Sequence, residues 1–203
     1  MARTIAKDHD EKRRHILSVA AEVFARDGIS RTSMNAVASA CGISKANIYH
    51  YYDSKGDLLF DILDHYLSDL RNWVCEVDLD DLAPADQLHL ICREFLLAYE
   101  GMDNEHKIQS EGLPLLTAHQ QDVLKGYQRE LVQLVSDILM RCAPNRFGAD
   151  KPTLRNTTMS IFGMLNWFYM WNPKADKEAR IGYSVLTADL VLNGINEDAT
   201  RKS

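Results

Sequence analysis

Two short helical segments joined by a glycine-containing turn constrain the fold of this 203-residue chain more than any other feature. A threonine–serine pair precedes the first segment, 34–40, and predicts its N-cap. Gly42 predicts a tight turn, because glycine accepts a positive φ without steric cost. Ser44 predicts the cap of a second helix over 45–51, since its hydroxyl can accept hydrogen bonds from first-turn N–H groups. Such a pair of helices is the geometry that places its second helix in the major groove of DNA.

The run over residues 13–55 resembles the tetracycline-repressor (TetR) family of bacterial regulators. The resemblance combines residue identity, residue order and the lengths of three helices. The matching residues are Ile16, Ala20, Phe24, Gly28, Thr32, Ser33, Ala38, Gly42, Ser44, Lys45, Ile48, Tyr49, Tyr52, Lys55 and, just beyond, Leu58.

This resemblance implies an all-α fold of about nine helices in two domains. Residues 1–55 would form a three-helix DNA-binding domain whose first helix covers 10–27. Residues 56–203 would form a helical domain for effector binding and dimerisation. The implied function is that of a homodimeric repressor that binds palindromic double-stranded DNA and is released by a small molecule. The alternative is a DNA-binding regulator without an effector, whose first domain could look identical.

The resemblance also implies which side chains contact DNA. In the family, side chains near the start of the third helix touch base edges, and the tyrosine in its middle holds a phosphate. By position, the base-edge residues are Lys45, Ala46, Asn47 and His50, and the phosphate-binding residues are Thr32, Ser33, Ser44, Tyr49 and Lys55. Asparagine can pair with adenine, lysine can reach guanine acceptors, and alanine can meet a thymine methyl group. Ala46 stands where glycine is frequent in the family.

The formal net charge of −6 is divided unevenly along the chain. Residues 1–55 hold nine Lys and Arg against six Asp and Glu, whereas 56–203 hold fourteen against twenty-three. The positive excess therefore lies in the predicted DNA-binding segment, where phosphate contacts require it. No apolar run approaches the roughly 18–20 residues needed to span a bilayer, and the N-terminal residues lack the apolar stretch of a secretory signal. We therefore expect a cytoplasmic protein.

Helical periodicity and turn residues predict six further helices, with a turn-rich loop before the last two. Their ranges are 54–73, 84–99, 104–113, 117–142, 152–171 and 176–193. The short helix 104–113 is predicted to be the moving part. The helix 54–73 carries an apolar face of Leu59, Ile62, Leu63, Tyr66, Leu70 and Trp73. Its other face is predicted to be a solvated acidic surface of Asp57, Asp61, Asp64, His65 and Asp69.

The last two predicted helices, 152–171 and 176–193, correspond to the pairing surface of the family. Two DNA-binding domains related by a two-fold axis would read a palindrome. The stripes available for pairing are Ile161, Leu165 and Phe168 on one helix, and Tyr183, Leu186, Leu190 and Gly194 on the other. Packing of either stripe inside the monomer is the alternative.

The effector pocket is implied to lie among the helices between residues 54 and 171. Its predicted walls are Trp73, Phe95, Tyr99, Leu113, Tyr127, Phe162, Asn166, Trp167 and Tyr169. The run 163–171 resembles regulators of this family that sense acyl-coenzyme A thioesters, including phenylacetyl-coenzyme A. A scattered basic set could meet the phosphates of such a ligand, although this region is acidic overall. The set is Lys107, Lys125, Arg129, Arg141, Arg146 and Arg155. A different hydrophobic or aromatic ligand is the alternative.

Nothing in the sequence indicates an enzyme. It contains no HExxH, no GxSxG and no phosphate-binding loop. The four cysteines form no C-x-x-C pair, so neither a zinc site nor a disulfide framework is supported. We therefore expect no catalytic residues, no metal site and no cofactor.

Overall fold

The computed structural model describes residues 2–196, with side chains from 9 to 195. These residues form ten α-helices and one short 3-10 turn, and no strand lies among them. The helices are α1 Ala2–Asp27, α2 Met34–Ala40, α3 Lys45–Tyr51, α4 Lys55–Cys75, α5 Pro84–Ala98, α6 Asp103–Gly112, α7 Ala118–Cys142, α8 Pro144–Ala149, α9 Lys151–Trp171 and α10 Lys177–Asn196. The 3-10 turn is Leu113–Leu115. The predicted all-α class is confirmed.

Helix α8 is the element that the sequence pattern missed, since proline, asparagine and glycine at 144–150 predict a loop. Pro144 stands at the start of the helix, where its fixed φ fits and its missing N–H costs nothing. Phe147 is fully buried, and Arg146 donates from Nη1 to the carbonyls of Gly194 and Ile195 at 3.2 and 3.3 Å. These tertiary contacts outweigh the weak helix propensity of the segment.

Helix α1 also starts earlier than predicted, at Ala2 rather than near residue 10. Neither proline nor glycine occurs between these positions, so no residue type interrupts the helix. The apolar face predicted for this helix is confirmed, because Ile16, Ala20 and Phe24 are at most 2% exposed.

The chain divides into two compact units, and the division crosses α4 and α7. Unit one comprises Met1–Leu67 and Met102–Lys125, and unit two comprises Ser68–Gly101 and Gly126–Ser203. In unit one, α1 contacts α2 and α6, and α2 contacts α3. The two short helices α2 and α3 therefore pack on the core of this unit.

Unit two is built around α5, which contacts α9 and α10. Its buried apolar residues include Leu88, Ile91, Phe95 and Leu96 of α5. The guanidinium of Arg180 is buried with them and donates from Nε to the Ala175 carbonyl and from Nη1 to the Leu96 carbonyl, at 3.1 and 3.2 Å. Because arginine carries five donors, one buried side chain can join the end of α5 to the start of α10.

Candidate nucleic-acid interface

The turn between α2 and α3 is closed by backbone hydrogen bonds that Gly42 and the next residue donate to carbonyls of α2. The Gly42 N–H donates to the Ser39 carbonyl at 3.1 Å, and the Ile43 N–H donates to the Ala38 carbonyl at 3.0 Å. Gly42 has φ +67°, the left-handed conformation that this helix-ending motif requires and that glycine adopts without strain. The Ser44 Oγ then accepts from the Asn47 N–H at 3.1 Å and begins α3.

Helix α3 has one buried side and one exposed side. Ile48 is completely buried and packs α3 against the rest of unit one. All four predicted base-edge residues are exposed on this single helix, namely Lys45, Ala46, Asn47 and His50. Tyr49 is 43% exposed, and the Lys45 ammonium lies 6.0 Å from the centroid of its ring. The exposed side of α3 thus offers cationic, amide and imidazole groups together.

The five predicted phosphate-binding residues fall into two groups. Ser33, Ser44 and Tyr49 are exposed, and both serines cap helices through their Oγ atoms. Thr32 is 5% exposed and donates its hydroxyl to the Gly28 carbonyl at 2.9 Å. The Lys55 ammonium lies 2.7, 3.2 and 2.9 Å from the carbonyl oxygens of Ile29, Ser30 and Thr32. The geometry therefore does not favour phosphate binding by Thr32 and Lys55, because both side chains donate hydrogen bonds to backbone carbonyls of the protein.

Asp61 is an ion-pair centre and no part of a solvated acidic face, so that prediction was wrong for this residue. Its side chain is 13% exposed and accepts from the Arg13 Nε at 2.9 Å and from the Tyr52 hydroxyl at 2.6 Å. The hydrogen bond with Asp61 raises the pKa of Arg13 above its ordinary value. Burial is the main cause that raises the pKa of the Tyr52 hydroxyl, and Asp61 adds to it. The carboxylate thereby joins α1, the end of α3 and α4.

Helix α6 is attached to α1 and α4 within unit one. The Lys107 ammonium donates to the Ala25 carbonyl at 2.7 Å, close to the end of α1. The Tyr66 hydroxyl and the His106 Nδ1 lie 2.7 Å apart and join α4 to α6. Burial raises the pKa of the Glu105 carboxyl, whose Oε2 has no hydrogen-bond partner among the described atoms.

The apolar residues of α9 and α10 divide into a buried and an exposed set. Ile161, Leu165 and Phe168 are at most 2% exposed, so their predicted place in a pairing surface was wrong. They belong to the core of unit two. The large apolar side chains that are between 44% and 62% exposed are Met159, Trp167, Met170 and Trp171 on α9, and Val185, Leu186 and Leu190 on α10.

Four of the nine predicted effector residues lie together inside unit two. The Phe95 and Phe162 rings meet edge to face with centroids 5.3 Å apart, and the Tyr99 hydroxyl donates to the Asn166 Oδ1 at 2.7 Å. Burial raises the pKa of the Tyr99 hydroxyl. The result is an aromatic cluster with one polar pair, formed by α5 and α9.

The other predicted effector residues have different surroundings. Trp73 is 57% exposed, which contradicts its predicted place on the apolar face, and its Nε1 donates to Glu94 at 3.0 Å. Trp167 is 62% exposed. Tyr127 lies under the guanidinium of Arg71, at 5.6 Å from the ring centroid. Tyr169 is half-buried on α9, and Leu113 lies in the 3-10 turn of unit one.

Four residues of the predicted basic set donate to protein acceptors. Lys107 donates to the Ala25 carbonyl, and Arg146 donates to the carbonyls of Gly194 and Ile195. Lys125 donates to the side chain of Gln121 at 3.1 Å, and Arg141 donates to that of Gln87 at 2.7 Å. These four side chains are therefore engaged within the protein.

In the described part of the chain, no three His, Cys, Asp or Glu side chains come together as a metal site, and no helix is long and apolar enough to cross a membrane. All four cysteines carry free thiols; Cys41 and Cys92 are buried, whereas Cys75 is exposed. Burial raises the pKa of Cys92 to about 12.

Two family models match the chain. One, described as "Bacterial regulatory proteins, tetR family", matches residues 16–62. The other, described as "Tetracyclin repressor-like, C-terminal domain", matches residues 81–195, which are more than half of the chain.

Individual proteins match in the same way. The chain is 34% identical to the HTH-type transcriptional regulator AcrR of Shigella flexneri over 97 residues, which cover 48% of this chain and 44% of AcrR. Two further curated relatives are also matched over less than half of their length. A TetR-family regulator from Bordetella parapertussis 12822 has a similar structure, with a TM-score of 0.80 and 32% identity over 89% of this chain and 94% of that one. AibR, solved with isovaleryl coenzyme A and operator DNA, has a TM-score of 0.68 and 24% identity over 92% and 96% of the two chains, which shows a likeness of fold.

Proposed function

This chain belongs to the TetR family of bacterial regulatory proteins, and from that premise we propose that it is a ligand-responsive transcriptional repressor. It binds a palindromic operator as a homodimer in the cytoplasm and leaves the operator when a small molecule binds. Residues 1–55 supply the DNA-binding domain, and 56–203 supply effector binding and dimerisation.

The observation that carries this proposal is the exposed side of α3. Lys45, Asn47 and His50 project from a helix of seven residues that is capped at Ser44 and anchored by Ile48. A helix that presents donors in this way can reach base edges in the major groove. Selection of bound sequences from a pool of randomised duplexes tests the proposal. We expect enrichment of a two-fold symmetric sequence, and recovery of unenriched DNA at low salt would contradict it.

Substitution of Asn47 tests direct base reading. Asn47→Ala should weaken binding to the selected duplex by about 1–3 kcal/mol and relax the preference at one base pair in each half-site. Fluorescence anisotropy on the selected duplex and its single-base variants measures both effects. Asn145→Ala, at an exposed asparagine of α8, is the matched control and should bind like the wild type. Equal affinities for Asn47→Ala and the wild type would remove Asn47 from the reading residues.

The homodimer is assigned to α9 and α10 because their exposed apolar side chains lie on helices that contact each other. Monomeric proteins rarely leave so many large apolar groups exposed together unless a partner covers them. Asp189 lies between Leu186 and Leu190 in the sequence, and its Oδ1 is 3.2 Å from the Nε2 of His89 on α5. His89 therefore gives the Asp189 carboxylate a polar partner when a second copy of the chain covers the exposed apolar surface of α9 and α10.

The effector site is assigned to the aromatic cluster of α5 and α9, with Tyr99 and Asn166 as its polar groups. Acyl-coenzyme A thioesters are the first class to test, because the neighbour AibR was solved with one. The carbonyl of a thioester could take the place of one partner in the Tyr99–Asn166 hydrogen bond. Because four of the six basic side chains donate to protein acceptors, we expect binding through the acyl part rather than through the phosphates.

A thermal-shift screen tests this assignment. Isovaleryl- and phenylacetyl-coenzyme A should raise the melting temperature by mass action, with about 2.7 kcal/mol at a concentration 100 times the Kd. Free coenzyme A is the control for binding through phosphates alone. The same ligands should release the selected duplex, and Asn166→Ala should reduce both effects. A shift with other aromatic compounds only would support a different ligand class, and no shift with any compound would support a regulator without an effector.

Release follows from a difference in affinity between two conformations. A ligand removes the repressor from DNA only if it prefers the conformation that does not fit the operator. Helix α6 is the proposed moving part, since its contacts with Ala25 and Tyr66 would carry its displacement to α1 and α4. The half-sites of an operator lie about 34 Å apart, so a shift of a few ångströms in the spacing of the two α3 helices disfavours binding.

A further inference from the structure

We propose that Lys55 is a positioning residue for DNA binding that acts without touching DNA. Its ammonium holds the loop between α1 and α2 against the first residue of α4, and so fixes the helix pair that carries α3. This inference rests on the proposed DNA-binding function and assigns Lys55 a different role from the phosphate contact that its position in the sequence implies.

The Lys55 ammonium group has as many carbonyl neighbours as it has donors. A lysine ammonium has three N–H donors and no acceptor. The three carbonyl oxygens of Ile29, Ser30 and Thr32 lie within 2.7–3.2 Å of the Lys55 Nζ. Each donor therefore has a carbonyl partner, and none is left for a phosphate oxygen.

The position of Lys55 at the start of α4 also favours a structural role. Ser54 and Asp57 cap α4, because the Asp57 N–H donates to the Ser54 Oγ at 3.1 Å and that hydroxyl donates to the Asp57 carboxylate at 2.6 Å. Lys55 stands in this first turn, where the helix dipole disfavours a cation. The three carbonyl dipoles compensate for that unfavourable placement, which gives the charge a structural role there.

The loop that Lys55 contacts leads directly into the cap of α2. Within the loop, the Thr32 N–H and hydroxyl both donate to the Gly28 carbonyl, at 3.1 and 2.9 Å. The next residue, Ser33, caps α2 by accepting from the Ala36 N–H at 3.1 Å. Since α2 contacts α3, a loop held by Lys55 fixes the start of α2 and, through it, the orientation of α3.

The salt dependence of DNA binding separates positioning from phosphate contact. Each phosphate neutralised by a lysine contributes about 0.9 to the slope of log Kd against log salt concentration. Lys55→Met should weaken binding to the duplex selected by the wild-type protein roughly tenfold or more and leave this slope unchanged. Lys45→Met, on the exposed side of α3, is the comparison variant. If the Lys45 ammonium contacts a phosphate, the substitution should reduce the slope by about 0.9. If the ammonium contacts a base, the substitution should lower the affinity for the selected duplex. Lys151→Met in unit two controls for the loss of one positive charge and should change neither quantity.

Lys55→Arg provides the second variant, because it retains the positive charge at this position. An arginine can replace a lysine at a phosphate, but its planar fork does not match three converging carbonyls. Positioning predicts a loss of affinity at unchanged slope for Lys55→Arg, whereas a phosphate contact predicts wild-type binding.

Hydrogen exchange on the free protein completes the test. Backbone amides of residues 30–36 should exchange roughly tenfold faster in either Lys55 variant than in the wild type, and Lys45→Met should leave them protected. A slope lowered by about 0.9 in Lys55→Met, or an affinity equal to that of the wild type, overturns the proposal. Failure of the wild type to bind any duplex would instead contradict the proposed function. The two failures can be told apart, because hydrogen exchange measures the loop in the absence of DNA.

Discussion

Asp61→Ala is expected to destabilise unit one by about 2–3 kcal/mol and to weaken operator binding, because it removes the carboxylate that joins α1, the end of α3 and α4. The substitution removes the acceptor of the Tyr52 hydroxyl, which is 7% exposed, and leaves that donor without its partner. It also removes the charged partner of Arg13, whose side chain is 41% exposed, so water compensates part of that loss. Chemical denaturation followed by circular dichroism measures the stability, and anisotropy on the selected duplex measures the affinity.

Asp69→Ala is the matched control, because Asp69 is an exposed carboxylate on the same helix. It should change the free energy of unfolding by less than about 0.5 kcal/mol, as surface substitutions usually do. Asp61→Asn should fall between the two, since its amide oxygen still accepts from Tyr52 but no longer carries the charge that Arg13 needs. Equal stabilities for Asp61→Ala and Asp69→Ala would show that the ion-pair centre contributes nothing.

The parts of the fold that could be predicted are those that local chemistry specifies. Ser33, Gly42 and Ser44 each act within four residues, as caps or as a left-handed turn, and the bounds predicted for α2 and α3 coincide with the observed ones. The exposed side of α3 follows from the same local information, because Ile48 is the only large aliphatic residue of the helix.

Contacts between residues far apart in the sequence could not be predicted from spacing. Arg13 and Asp61 are separated by 48 positions, and Lys55 reaches a carbonyl 26 positions away. An acidic residue every few positions along α4 predicts a solvated surface, and nothing local distinguishes Asp61 from Asp69. Only the fold brings the partners of Asp61 and Lys55 close enough to change their roles.

Helix α9 illustrates a second limit, because it is apolar on more than one face. Periodicity identifies both Ile161–Leu165–Phe168 and Met159–Trp167–Met170 as sets on one side of a helix. Only the packing against α5 and α10 decides which set is buried in the protomer. The set left exposed is therefore the one to test as a contact between two copies of the chain.

Leu190→Glu is expected to convert the protein into a folded monomer and to weaken binding to the selected palindrome by at least about 100-fold, because the second half-site is no longer bound intramolecularly. Leu190 is 57% exposed in the protomer, so the glutamate stays hydrated there and the protomer remains folded. In a two-fold interface each substitution occurs twice, and each charge buried without a partner costs several kcal/mol. Light scattering at micromolar concentration measures the mass, and anisotropy measures the affinity.

Leu82→Glu adds the same charge at another exposed leucine of unit two, outside α9 and α10. It should remain dimeric and bind DNA like the wild type, which separates the effect of position from that of net charge. Leu186→Glu, one helical turn from Leu190, should reproduce the monomer, since both leucines lie on the exposed side of α10. A wild-type protein that is monomeric at micromolar concentration, or a Leu190→Glu variant that remains dimeric, would exclude this side of α10 as the pairing surface. In the latter case the exposed residues of α9, led by Trp167, would be the remaining apolar surface to examine.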